Sequence, residues 1–284
     1  MAALIDKENW FAESEVMWPG QRFSLKVGEV LHHSRSAFQD ILVFQSETYG
    51  RVLVLDGVIQ LTERDEFAYQ EMIAHLPLFS HPEPKRVLIV GGGDGGVLRE
   101  VARHAGVSRI VMCEIDKAVI EVSRKFFAGT MATAFGDPRL ELVHDDAAEF
   151  VKRHQRAFDV VIVDSSDPVG PAEGLFKAEF FRHCHRALAD GGVLVQQSES
   201  PLLHSDTIIL DLHANMREAG FSHTRTLPFP QPVYPSGWWS CTLAGKDHDV
   251  ADFRQADATG KSFETRYYSA DIHKAALVLP PFME

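Results

Sequence analysis

Five carboxylates stand at or just beyond the carboxyl ends of successive apolar runs: Asp94, Glu114, Asp146, Asp164 and Asp167. A single acid in such a place ordinarily caps a helix or faces solvent. Five on consecutive segments are another matter, because like charges gathered in one crevice cost free energy unless a cation offsets them. The chemistry they point to is recognition of a positively charged ligand and transfer of a proton from it. Gln197 ends the next apolar run and belongs to the same row of polar groups.

Asp94 lies inside a second informative pattern, Val87-Leu88-Ile89-Val90-Gly91-Gly92-Gly93-Asp94-Gly95-Gly96. An apolar strand running into glycines lets a nucleoside lie directly against bare backbone. Glycines 91, 93 and 96 satisfy the dinucleotide fingerprint, and Glu114, twenty residues past Asp94, stands where a ribose-binding acid belongs. A negative charge within the loop repels phosphate, however, and no Lys-Ser/Thr pair closes the run, so a nucleoside triphosphate is rejected. An adenosyl sulfonium fits better: its ribose hydroxyls bond Glu114, and an amine on its tail pairs with Asp94.

The elements that must hold these groups are legible as alternating periods. Residues 22–62 read as a small antiparallel sheet, with apolar runs Ile41-Leu42-Val43-Phe44 and Val52-Leu53-Val54-Leu55 separated by Tyr49-Gly50 and Asp56-Gly57 turns. Asp65 to Leu78 has helical spacing, with Pro77, Pro82 and Pro84 expected to end the helix. The proline-rich segment 80–85 is the expected boundary between an amino-terminal unit, 1–79, and a larger one, 80–284. Beyond it strands and helices alternate from Arg86 to Ala219, which predicts a Rossmann-like, doubly wound and largely parallel α/β sheet. Ligands of such sheets bind at the carboxyl ends of the strands, where the acids stand.

Composition narrows the clients. The chain has 284 residues, 45% hydrophobic, with a formal net charge of −12. An acidic chain without clustered Lys and Arg disfavours nucleic acid and anionic membrane as partners and favours small cations. Its three cysteines lack paired metal-site spacing, and neither the tandem His32-His33 nor His183 with His185 suits a metal, so no metal is expected. No apolar run approaches the roughly 18 residues of a membrane span, and the amino terminus lacks a signal-peptide core. A reducing cytoplasm is the expected setting.

Taken together these motifs resemble the polyamine aminopropyltransferase (spermidine synthase) family, over nearly the whole chain. The likeness rests on Trp18-Pro19-Gly20-Gln21, Leu55-Asp56-Gly57-Val58-Ile59-Gln60, Asp65-Glu66-Phe67-Ala68-Tyr69-Gln70-Glu71-Met72, the glycine loop with Asp94, Asp164-Ser165-Ser166-Asp167-Pro168 and Tyr234-Pro235-Ser236-Gly237. It implies transfer of an aminopropyl group from decarboxylated S-adenosylmethionine to putrescine, with the nucleoside as co-substrate and no cofactor. By the same resemblance Gln39, Gln70, Glu114, Asp146, Ala147 and Pro171 contact the donor nucleoside, and Asp94 takes its amine. Tyr69, Asp167 and Tyr234 hold the diamine, and Asp164 is the catalytic carboxylate. A homodimer is also implied.

Three features depart from the family pattern: Ala147, where glycine is usual, Ser198, where glycine or alanine is usual, and the bulky pair Trp238-Trp239 after Gly237. The tryptophans bear on acceptor size and leave cadaverine, agmatine and spermidine as alternatives to putrescine. A methyltransferase shares the fold and the ribose acid, but Asp94 would repel the tail carboxylate of S-adenosylmethionine. A non-catalytic polyamine sensor would need the acids but not one at the attacking nitrogen.

Overall fold

The computed structural model describes residues 4–15, 19–168 and 170–283. Trp18 and Val169 lie outside them, as does the side chain of Pro171. Strands β1 (Trp10–Ala12), β2 (Ser24–Arg35), β3 (Asp40–Ser46), β4 (Gly50–Leu55) and β5 (Val58–Thr62) pair antiparallel in chain order. Neighbours of this kind need only tight turns, and Asp56-Gly57, with φ of 48° and 84°, closes the last hairpin. Along β3, Leu42 and Phe44 face Phe11, Leu25 and Val52. Ile41 and Val43 face the opposite way, onto Val119, Phe127 and Met131. Both faces are therefore covered, which is why β3 reads as an unbroken apolar run.

Helix α1 (Glu66–Ser80) leads into β6 (Arg86–Gly91), α2 (Gly96–Ala102), β7 (Arg109–Cys113), α3 (Lys117–Phe126), β8 (Leu140–Val143), α4 (Ala147–Lys152) and β9 (Phe158–Asp164). A 3-10 turn, Gly170–Phe176, precedes α5 (Ala178–Ala187), β10 (Leu188–Gln197), α6 (Pro201–His204), α7 (Ile208–Glu218), β11 (His223–Pro230) and β12 (Trp238–Gly245). The short helices α8 (Gln255–Thr259) and α9 (Ala270–Ala276) follow, and the tail buries Tyr268 and Ala276 while leaving Val278 exposed. The sheet runs β11-β12-β10-β9-β6-β7-β8, parallel from β10 to β8. The chain thus forms the expected Rossmann-like, largely parallel sheet beside a small antiparallel one.

Two features differ from the sequence reading. Pro77 lies within α1 rather than ending it, and the helix runs on to Ser80. A proline loses one N–H bond and is tolerated here because packing holds the helix: every residue of α1 except Phe67 is buried. Its apolar side chains, Met72, Ile73 and Leu76 among them, join the core of the second sheet with Val87, Ile89, Val160 and Val195, although the sequence groups this helix with the first. The antiparallel pair β11 and β12 was not anticipated either. Pro228 and Pro230 resemble strand breakers, yet β11 is the edge strand, where a missing N–H costs no ladder bond.

The strand order reverses between β6 and β9, and their loops part there to open a crevice. Gly91 pairs with Asp164 across it. The approach is so close, at φ +77°, that a Cβ on residue 91 would lie 2.2 Å from the Asp164 carbonyl oxygen. Only glycine permits it.

Candidate active site

The crevice is a cavity of about 330 Å³ lined by the glycine loop, the strand-end acids, residues of the first sheet and the start of α1. It brings together Gln39, Tyr69, Gln70, Asp94, Glu114, Asp146, Ala147, Asp164, Asp167 and Tyr234, which lie far apart in the chain. Pro171 belongs to the 3-10 turn Gly170–Phe176 over this crevice, its side chain outside those described. A smaller recess of about 30 Å³ continues past Tyr69, Asp167 and Tyr234 and is walled by Glu13, Gln197 and Trp239. Among the described residues lining either space there is no Lys or Arg.

Glu114 is buried, its Oε1 accepting the N–H of Asp116 at 2.9 Å. Burial raises its pKa to about 7, with the neighbouring Asp116 charge adding to the effect and backbone donors opposing it. Asp146 caps α4, accepting from the N–H groups of Ala148 and Glu149. It does so while lining the cavity, so its capping and ligand-facing positions coexist. Gln39 donates from its amide to Asp116 at 2.9 Å.

Asp94 is gripped by its own loop: Oδ1 accepts the Gly96 N–H at 2.7 Å and the Gln70 amide at 3.1 Å. Gly96 is needed for this grip, since a Cβ there would strike the Gln70 side chain at 2.4 Å. Burial, and next the charge of Asp164, push Asp94 up to about 8. Asp164 itself is pushed up to about 6 by burial, with Tyr69 opposing and Glu114 assisting. The Tyr69 hydroxyl donates to Asp164 Oδ1 at 2.6 Å, while Oδ2 is buried without a hydrogen-bond partner among the described residues. Three acids with raised pKa values around one void form a site that a cation would stabilise by several charge-assisted contacts.

The recess is aromatic and acidic. Tyr234 stands edge-on to Tyr69, ring centroids 5.9 Å apart, and to Trp239 at 4.6 Å, so three rings form a wall. Its hydroxyl donates to the Gln60 carbonyl. Trp238 instead packs against Phe282. Asp167 is raised by burial and shares a hydrogen bond with Glu199, whose fully buried carboxyl burial pushes well above the ordinary range. Glu13, raised by burial to about 7, accepts the Ile59 N–H at 2.8 Å and keeps its other oxygen buried and without a hydrogen bond among the described residues. Glu13 and Glu199 were missed in the sequence because neither ends an apolar run beside the glycine loop. The signal that existed was Gln197-Ser198-Glu199 following β10.

Among the described residues no group of three or more His, Cys, Asp or Glu is arranged to hold a metal ion, and no helix is long and apolar enough to cross a membrane. The family description "Spermine/spermidine synthase domain" matches residues 66–254, and "Spermidine synthase tetramerisation domain" matches residues 9–63. The polyamine aminopropyltransferase of Halorhodospira halophila is 51% identical over 279 residues, covering 98% of this chain and 100% of that one. The spermidine synthase of Dictyostelium discoideum is 48% identical over 285 residues, 97% and 96% of the two chains. Among solved structures, a spermidine synthase in complex with the transition state analogue AdoDATO aligns with a TM-score of 0.93 at 37% identity, over 99% of this chain and 96% of that one. The spermidine synthase of Thermotoga maritima aligns at 0.91 and 36%, over 99% and 95%.

Proposed function

The chain belongs to the spermine/spermidine synthase family and is an aminopropyltransferase, and from that premise we propose that it transfers the aminopropyl group of decarboxylated S-adenosylmethionine to putrescine, yielding spermidine and methylthioadenosine. The observation that carries this reading is Asp94, a carboxylate held inside the glycine loop by Gly96 and Gln70. A donor tail ending in an amine is attracted there, whereas the carboxylate of intact S-adenosylmethionine is repelled. Glu114 takes the ribose hydroxyls, and Gln39, Gln70, Asp146, Ala147 and Pro171 complete the donor site. Asp167 and the faces of Tyr69 and Tyr234 hold the acceptor's distal ammonium by charge and cation–π attraction, with Glu13 beyond.

A sulfonium is already a good leaving group, so alignment and deprotonation remain for the protein. The nitrogen lone pair forms the new N–C bond as the C–S bond breaks, and its electron pair returns to sulfur as a neutral thioether. The nitrogen's proton goes to Asp164 Oδ2, the oxygen that Tyr69 leaves unengaged. An alkylammonium near pKa ~10 facing Asp164 at about 6 leaves a gap of roughly 4 pKa units, about 5 kcal/mol. Proximity to the sulfonium lowers the ammonium and narrows the gap further. No cofactor or metal enters this scheme.

The match of the first sheet to a tetramerisation description and its exposed Trp10 and Val30 support self-association through that sheet, and we propose a homodimer as the smallest such assembly. Three buried free cysteines suit a reducing cytoplasm. Incubation with decarboxylated S-adenosylmethionine and each of putrescine, cadaverine, agmatine and spermidine, with methylthioadenosine followed by mass spectrometry, tests both reaction and acceptor. Product with putrescine first is expected, product only with another amine would reassign the acceptor, and no product with any would point to a sensor. Light scattering that gives a monomer at micromolar concentration would remove the dimer.

A further inference from the structure

Two buried aspartates outside the cavity, Asp65 and Asp116, each begin a helix and each spend their side chains across the junction between the two sheets. Asp65 precedes α1 but makes no side-chain bond to its own helix. An aspartate at that position ordinarily caps the first turn. Here Oδ1 accepts the Thr62 hydroxyl at 2.6 Å and Oδ2 accepts the backbone N–H of Val233 at 3.1 Å. Val233 belongs to the β11–β12 loop, and its fully buried side chain enters the core of the first sheet beside Phe11 and Ile59. The next residue is Tyr234, the aromatic wall of the acceptor recess. Asp65 thereby ties the segment that begins α1, and hence Tyr69, to the loop that carries Tyr234.

Asp116 makes the corresponding link on the nucleoside side. Its Oδ1 caps α3 through the Ala118 N–H, while Oδ2 accepts both the Ser36 hydroxyl at 2.6 Å and the Gln39 amide at 2.9 Å. Ser36 in turn receives the N–H groups of Phe38 and Gln39. The β2–β3 turn is thus fastened to the second sheet, and one N–H of the Gln39 amide is committed to Asp116, which leaves its oxygen and its second N–H for a ligand.

We propose that Asp65 and Asp116 are positioning residues with separate duties: Asp65 sets Tyr234 for the acceptor, and Asp116 sets Gln39 for the donor. This rests on the placement of donor and acceptor proposed above. Neither aspartate touches substrate: Asp65 acts on the acceptor side through Tyr234 and the Tyr69 segment, and Asp116 on the donor side through Gln39 and through its charge beside Glu114.

The test is a crossed kinetic comparison on the full chain. Asp65→Ala raises the putrescine KM about tenfold and leaves the KM for decarboxylated S-adenosylmethionine within about twofold; Asp116→Ala does the reverse. Asp65→Asn, whose amide oxygen can still accept from Val233, restores most of the acceptor affinity. Tyr234→Ala and Gln39→Ala report the substrate assignments independently. If Tyr234→Ala spares the acceptor KM, the substrate placement is wrong. If Tyr234→Ala raises it and Asp65→Ala lowers only the thermal midpoint, Asp65 is merely structural and the proposal is overturned. Should Asp65→Ala fail to fold, Val233→Ala, which keeps the N–H and removes the anchor in the first sheet, must raise the acceptor KM selectively or the proposal fails.

Discussion

The hydroxyl of Tyr69 donates a 2.6 Å hydrogen bond to one oxygen of Asp164 and leaves the other buried with no hydrogen-bond partner among the described residues. One bond thus does two things: it stabilises the carboxylate form of a group that burial drives toward neutrality, and it leaves Oδ2 as the oxygen without a hydrogen bond among the described residues. Asp164→Asn is expected to lower kcat by about 10²–10⁴-fold, the usual worth of a general base, with donor affinity nearly intact. Wild-type kcat at saturating putrescine would mean that deprotonation occurs through water or before binding.

Tyr69→Phe tests the other half of that relationship. Without the phenol the Asp164 pKa climbs above about 6, so the acidic limb of the kcat/KM profile for the acceptor moves to higher pH. An unmoved limb would show that the titrating group is not Asp164. Above neutrality both enzymes should gain further as neutral amine becomes available.

Asp94→Asn should weaken binding of decarboxylated S-adenosylmethionine more than that of S-adenosylmethionine, because the amide removes attraction for one tail and repulsion for the other. Isothermal calorimetry on the two ligands decides it. Equal losses would take away the argument from charge.

Stability in the absence of ligand should fall as pH rises above neutrality. Asp94 and Glu114 titrate near 8 and 7 in the folded chain, against ordinary values of 3.8 and 4.5. The folded state therefore holds protons that the unfolded state has released, and their stabilising effect, full below about pH 4, disappears as pH climbs through about 7 to 8. Differential scanning calorimetry from pH 7 to 9, above the range in which buried histidines with depressed pKa values such as His104, His213 and His273 act in the opposite sense, should show a declining midpoint, flatter in Asp94→Asn. Bound donor should offset the decline, since its cation compensates the same charges. A midpoint rising across this range would contradict the burial argument.

Trp239→Ala should raise the kcat/KM of spermidine relative to putrescine, and Trp238→Ala should not. Trp239 walls the recess beside Tyr234, whereas Trp238 packs on Phe282. A ratio unchanged by Trp239→Ala would leave acceptor length to Glu13 and Asp167.

What was legible in the sequence was whatever depends on short-range pattern. The parallel strands announce themselves as apolar runs, and the acids at their ends mark the crevice because Asp94, Glu114 and Asp164 directly follow or end those runs. Glu13 and Glu199 left no such trace. Glu13 enters from β1's end, held by Ile59, and Glu199 sits at a left-handed φ of 67° that nothing in its neighbours demands. Such placements come from packing between distant segments, as does the persistence of α1 through Pro77. Prolines in β11 obscured a strand whose status as an edge is visible only once the whole sheet is ordered.

The seating of Val233 within the first sheet also sets an order of assembly. That sheet is complete in its strands by Thr62, yet the backbone bond from Val233 to Asp65 spans 168 residues and β11 pairs only with β12, so its core keeps a gap until β12 has emerged and both strands have docked. Closing so long a loop is slow compared with forming local hairpins. During synthesis the nascent sheet therefore presents Phe11, Phe44 and Ile59 around an unfilled socket, a sticky surface that the last third of the chain must plug. A truncated chain ending before residue 233 should therefore bind an apolar dye that the full chain excludes.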